Sequence, residues 1–218
     1  MNVELLKAEY SEHFTPERRE ALLSLAHEAY ERVALRYSED DGDDRQSFSF
    51  LTYKYIRKRL IDLGRPRKLG FELTQSHPMI RVGVGPFNMA AYCCGTSGDQ
   101  PIEESFPNNE NGAPQLADLN QFCLELDQSG GLPRNLVLAH LGNPDSGLEA
   151  LHLAFPAGKQ GNRIASWSYT DLIWRRSESG HGPTPPPAGP PDLPRPVLID
   201  RAPLTLKLPV ERPKTADE

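Results

Sequence analysis

The chain lacks any apolar run near the ~20 residues that a bilayer-spanning helix requires, so no helical membrane span is expected. Its first ten residues, Met1-Asn-Val-Glu-Leu-Leu-Lys-Ala-Glu-Tyr10, show no basic start followed by an apolar stretch, and no secretory signal is expected. Cysteine is scarce: Cys93, Cys94 and Cys123 are the three in the chain. Their number is odd and two are adjacent, and neighbouring cysteines bridge only under strain, which argues against a disulfide framework. A reducing, cytoplasmic setting is the expectation. Positive charge is also in deficit, with 24 Lys and Arg against 30 Asp and Glu, a net charge of −6. Such a balance disfavours general binding to phosphate backbones and adsorption to anionic membranes.

Complete catalytic signatures are missing as well. Gly83-Val-Gly85 fails as a dinucleotide fingerprint, because Asn88 stands at the third glycine position. There is no Walker A pattern and no His-Glu-x-x-His, and Gly95-Thr-Ser-Gly98 does not match the spacing of Gly-x-Ser-x-Gly. The acidic run Glu39–Asp44 fails the EF-hand template. With Gly42 as the turn glycine, the first and last ligand positions fall on Tyr37 and Phe48. No metal or other cofactor is expected.

What the chain does have is proline, 21 residues of it, about half beyond Ser177. The run Gly182–Pro196 cannot form helix or central strand, because proline fixes φ and carries no backbone donor. Mean hydropathy is low, −0.54, and this segment together with the acidic loops accounts for part of that. The expected organisation is a single domain over residues 1–176, a Pro-rich linker over 177–196 and a C-terminal arm over 197–218. In the arm, Leu204, Leu206, Leu208 and Val210 alternate with Thr205, Lys207 and Pro209. This period of two, bounded by prolines, fits an edge strand. The strand either returns to its own sheet or adds to the sheet edge of a partner. Three P-x-x-P spacings occur in the linker, but any proline run produces them, and a spacer is the preferred reading.

Within the body, Thr15-Pro16-Glu17 reads as a helix start, with Thr15 as the capping acceptor. Leu22, Ala26, Ala29, Val33 and Tyr37 then form one apolar face. A second helix is expected from a cap at Ser47 or Ser49 to Leu63, stopped by Gly64. Strands are expected over 69–74, 80–84, 87–93 and 163–174, and a third helix over 116–126. Leu136–Leu141 and Leu148–Phe155, joined by Asn143-Pro-Asp-Ser-Gly147, predict a β-hairpin. Helices first and strands afterwards favour an α+β fold, with a mainly antiparallel sheet covered by helices on one face.

Three functional readings follow. The preferred one is a non-catalytic protein-binding or regulatory protein acting through its sheet edge and the arm residues Leu204, Leu206 and Leu208. The second is a cysteine-dependent hydrolase or transferase with Cys94 as nucleophile, His140 as base and Asp145 as orienting group. Against it, Ala90–Cys94 reads as a strand end, not as the helix N-terminus that lowers a thiol pKa. The third is a phosphate or nucleic-acid binder using Lys54, Arg57, Lys58, Arg65 and Arg67, with Tyr53 and Tyr55 interleaved. The competing account is a solvated helix face neutralised by Glu39–Asp44. His140 and His152 fall on one sheet face if the hairpin pairs even positions with even positions, but two imidazoles alone do not make a metal site.

Overall fold

Three helices precede a six-stranded sheet in the computed structural model, which describes residues 3–76, 80–102, 120, 134–160 and 163–176. All of these belong to one compact unit, Met1–Glu178. The linker, the arm and nearly all of the stretch expected to form a third helix lie outside the described residues. The helices are α1 (Val3–His13), α2 (Pro16–Ala34) and α3 (Arg45–Gly64). The strands are β1 (Phe71–Gln75), β2 (Arg81–Val84), β3 (Phe87–Gly95), β4 (Asn135–Asn143), β5 (Gly147–Gln160) and β6 (Arg163–Arg175). The fold is α+β, as the order of sequence patterns predicts.

Strand order follows chain order, β1 to β6, and every neighbouring pair is antiparallel except β3 and β4. Parallel neighbours need a long crossover, not a tight turn, and here residues 96–134 separate the two strands. Each half of the sheet is a meander of strands that follow one another closely in the chain. In the β4–β5 turn, Asn143 Oδ1 accepts from the backbone N–H groups of Asp145 and Ser146 at 3.0 and 2.9 Å. Gly147 then takes φ 75°, which a side-chain-bearing residue rarely adopts.

All three helices pack on one sheet face. Leu6 and Tyr10 of α1, Phe14 just after it, Leu22, Ala26, Tyr30 and Val33 of α2, and Phe48, Ile56 and Leu60 of α3 are buried against Met89, Leu136, Leu138, Leu151, Leu153 and Phe155. Each buried Val, Leu, Ile, Phe or Met among them contributes roughly 1.5–3 kcal/mol of transfer free energy. The opposite face carries a second buried cluster containing Ala90, Tyr92, Cys94, Val137, Ala139, Leu141, Ala150 and Ala154.

Local structure departs from the sequence pattern at several points. Helix α1 carries no strong amphipathic signal in the sequence, yet it is formed and buried through Leu6 and Tyr10, with Phe14 buried just beyond its end. Thr15 precedes α2 but makes no side-chain cap; its hydroxyl bonds the Glu17 carboxylate instead and lowers the pKa of that group. The cap of α3 is Asp44, not Ser47 or Ser49: Asp44 Oδ1 accepts from Ser47 N at 2.7 Å, while Ser47 Oγ accepts from Asp44 N at 2.9 Å. This reciprocal capping box uses both partners. Gly64 is the last helical residue, not a left-handed stop. A Cβ there would stand 2.9 Å from Leu73 N, so glycine serves the close approach of α3 to β1.

Candidate functional site

The sheet ends on two strands of different character. β1 has five residues and an irregular register between Leu73 and Gln75, and its Glu72 is ion-paired with Arg67 at 2.5 Å. Short length, irregularity and charge are devices that blunt an edge. β6 has 13 residues, and no described strand pairs with its outer side. Its stretch Trp167–Trp174 contains no lysine, proline or glycine. The one charged residue in it, Asp171, is engaged from the helix side: Tyr10 OH donates to Oδ2 at 2.6 Å and Arg19 Nη1 lies 3.3 Å away. Burial and that carboxylate both raise the Tyr10 pKa, so the phenol stays a donor. Trp174 meets His27 edge-on at 4.7 Å, and Ile173 packs against the main core. These contacts fix the inner face of β6, while Thr170 and Leu172 are exposed.

Pro156 lies in the interior of β5 and cannot donate to a neighbouring strand. Asn120 replaces the missing donor. Its Nδ2 donates to Asn135 O and Pro156 O, each at 2.8 Å, and its Oδ1 accepts from Asn135 N at 2.9 Å. The side chain occupies the point where β5 leaves β4, and the β5–β6 register shifts on both sides of Pro156.

The residues expected to support thiol chemistry are not brought together. His140 pairs in register with Cys93, while Cys94 belongs to the buried cluster on the opposite face. Burial holds the Cys94 thiol well above its ordinary pKa, and Cys93 beside it adds to the shift. Asp145 is exposed in the hairpin turn. His140 Nδ1 meets Tyr30 OH at 3.0 Å. His140 is fully buried, burial pushes its pKa down to about 3, and Nε2 has no described partner. Cys93 adjoins Tyr30 and Ser49, both of which favour its thiolate, but burial outweighs them and raises its pKa. A thiol held protonated beside an imidazole that does not charge suits a structural hydrogen-bond chain and not a nucleophile–base pair. His140 and His152 lie on opposite faces, because the hairpin pairs Ala139 with His152 and His140 with Leu151. No group of three metal-ligating side chains occurs among the described residues.

The basic residues of α3 stay at the surface. Lys58 pairs with Asp62 at 2.5 Å, Arg59 with Glu28, and Arg67 with Glu72. The acidic run Glu39–Asp44 is not their counterion in any described pair. It forms a 3₁₀ turn capped by Ser38, and Asp43 accepts from Ser38 N at 3.1 Å. Lys54 sits over the Phe50 ring at 4.4 Å and Arg57 over Tyr53 at 5.4 Å. Leu204, Leu206 and Leu208 lie outside the described residues. Tyr30 and Asn120 were not singled out from the sequence, since neither stands in a motif. The edge position of β6 had one sequence signal, as the last strand of a meander before a proline run. No helix among the described residues is long and apolar enough to cross a membrane. Comparison of the chain with protein-family models, with curated proteins and with solved structures gives no match.

Proposed function

We propose that this is a non-catalytic binding or regulatory protein that holds an extended segment of another protein along the outer edge of β6, with the arm residues Leu204, Leu206 and Leu208 engaging the same partner. The observation that carries the reading is the contrast between the two edges. β1 is short and carries the ion-paired Glu72, whereas β6 is long and, although its pairing with β5 also shifts register, its stretch Trp167–Trp174 holds no lysine, proline or glycine beside an exposed Leu172. Main-chain pairing supplies affinity in strand addition, and flanking side chains supply selectivity. The placement of Cys94 in the cluster on the sheet face opposite His140 favours this reading over the cysteine-hydrolase alternative.

The test uses the full-length protein with Thr170→Lys and Leu172→Lys together, both at exposed positions. Lysines on an edge oppose strand addition without touching the core. Proteins retained by the wild type are expected to be lost by this variant and kept by Leu35→Lys, a control at the exposed end of α2. Circular dichroism checks that both variants fold. Equal retention by wild type and the edge variant overturns the proposal.

A further inference from the structure

We infer that the solvent face of α3 is a binding surface for single-stranded nucleic acid, separate from the β6 edge and independent of the function proposed for it. Phe50, Lys54, Arg57 and Arg65 follow one another at intervals that repeat one face of a helix. Arg65, just past the last residue of α3, keeps helical backbone angles and extends the stripe. From Lys54 to Arg65 the stripe covers about 16 Å at ~1.5 Å per residue. Of the cations between Lys54 and Lys68, Lys58, Arg59 and Arg67 already have carboxylate partners. Lys54, Arg57 and Arg65 form no ion pair among the described residues, although Arg65 lies close enough to act on the Asp62 carboxylate, and Lys54 and Arg65 are exposed while Arg57 is half-buried; Lys68 lies off the stripe, in the groove between α2 and α3. Lys54, Arg57 and Arg65 are the cations available to phosphates.

The aromatic residues select the class of polyanion. Phe50 is 55% exposed, unusual for a large apolar side chain, and Lys54 Nζ stands 4.4 Å from its ring centroid. Tyr53 and Arg57 repeat the pairing one turn along. A cation beside an exposed ring offers one group to a phosphate and one to the face of an unpaired base, the combination that recognises single strands without a sequence code. A run of acidic side chains such as oligoglutamate has no ring face to place on Phe50, and a duplex keeps its bases stacked away from it. The acidic turn Glu39–Asp41, ahead of α3 in the chain, disfavours phosphates there and limits the site to Phe50 and beyond.

Fluorescence anisotropy of labelled oligodeoxythymidine of about 12 nucleotides, with the full-length protein, tests this. Three phosphate contacts, from Lys54, Arg57 and Arg65, predict a log–log salt slope of about −2, or roughly twenty-fold weaker binding between 50 and 200 mM salt. Arg57→Gln with Arg65→Gln should cut the slope to about −0.7. Phe50→Ala should weaken binding about five-fold or more with the slope unchanged. Absence of binding at 50 mM salt, a slope that ignores the arginine replacements, or competition by oligoglutamate equal to that by unlabelled oligonucleotide overturns the inference.

Discussion

Tyr30 on α2 and His140 on β4 are joined across the helix–sheet interface by a 3.0 Å hydrogen bond, with both side chains almost completely buried. The arrangement that satisfies most groups has His140 Nδ1–H donating to the phenol oxygen while the phenol donates to Cys93, its neighbour on the other side. Removing the hydroxyl leaves a buried imidazole donor without a partner, and such a loss costs about 1–3 kcal/mol. Tyr30→Phe is therefore expected to lower unfolding free energy by that amount in urea titration, with an unchanged m-value. A change below about 0.5 kcal/mol would mean that the bond contributes nothing net.

The same histidine sets a pH dependence. Burial depresses the folded-state pKa of His140 from 6.5 to about 3. Between those values the unfolded chain binds a proton that the folded chain does not, so stability falls as pH falls. It is fully present above pH 6.5 and is lost progressively from there towards pH 3. Between pH 7 and pH 5 this amounts to about 2 kcal/mol. A His140→Gln variant, less stable at pH 7, should show a stability profile flatter by that amount. His27 shifts in the same direction through burial, so His27→Gln serves as a comparison for a half-exposed site. Parallel profiles for wild type and His140→Gln would contradict the assignment.

Much of this architecture was legible because local chemistry and tertiary packing agree. The face Leu22, Ala26, Ala29 and Val33 is the buried face of α2, and the turn formers from Asn143 to Gly147 make the turn they predict. What the sequence hid depends on pairing at a distance. Even spacing of His140 and His152 suggests a shared face, but the turn pairs odd with even positions and separates them. Adjacent Cys93 and Cys94 look equivalent, yet strand alternation sends one towards Tyr30 and the other into the opposite cluster. The parallel pairing of β3 with β4 has no local signature, since it is decided by the path of a crossover. Helix α1 was hidden for the opposite reason: it is held by Tyr10, which stacks on Phe14 and meets Phe155 and Tyr169 edge-on, and not by its own pattern.

Asn120 supplies the sheet with the donor that Pro156 lacks, and its role separates size from chemistry. Asn120→Ala leaves Asn135 N, Asn135 O and Pro156 O without that partner in a buried position. Buried unsatisfied groups cost about 1–3 kcal/mol each before any relaxation. A loss of about 2–4 kcal/mol in chemical denaturation is expected for this mechanism, near the upper end for one substitution. Asn120→Asp keeps the size and the Oδ1 acceptor but removes the amide donor, so it should be nearly as harmful. Full stability in the Asp variant would show that the amide hydrogens are dispensable.

The C-terminal segment offers the sharpest division between binding and folding. Prolines dominate the stretch Gly182–Pro196, and rings that fix φ and remove donors keep a chain from joining a sheet interior. Removing residues 182–218 is therefore expected to leave the urea midpoint of the body within the range of a neutral surface change, about 0.5 kcal/mol. The same truncation should abolish retention of the partners that the full-length protein captures, because Leu204, Leu206 and Leu208 are gone. The two readouts respond to different properties. A truncated chain that melts early makes the arm part of the folded body. A truncated chain that is stable and still retains its partners leaves the β6 edge as the whole of the binding surface, and Thr170→Lys with Leu172→Lys should then abolish capture in the truncated background as well.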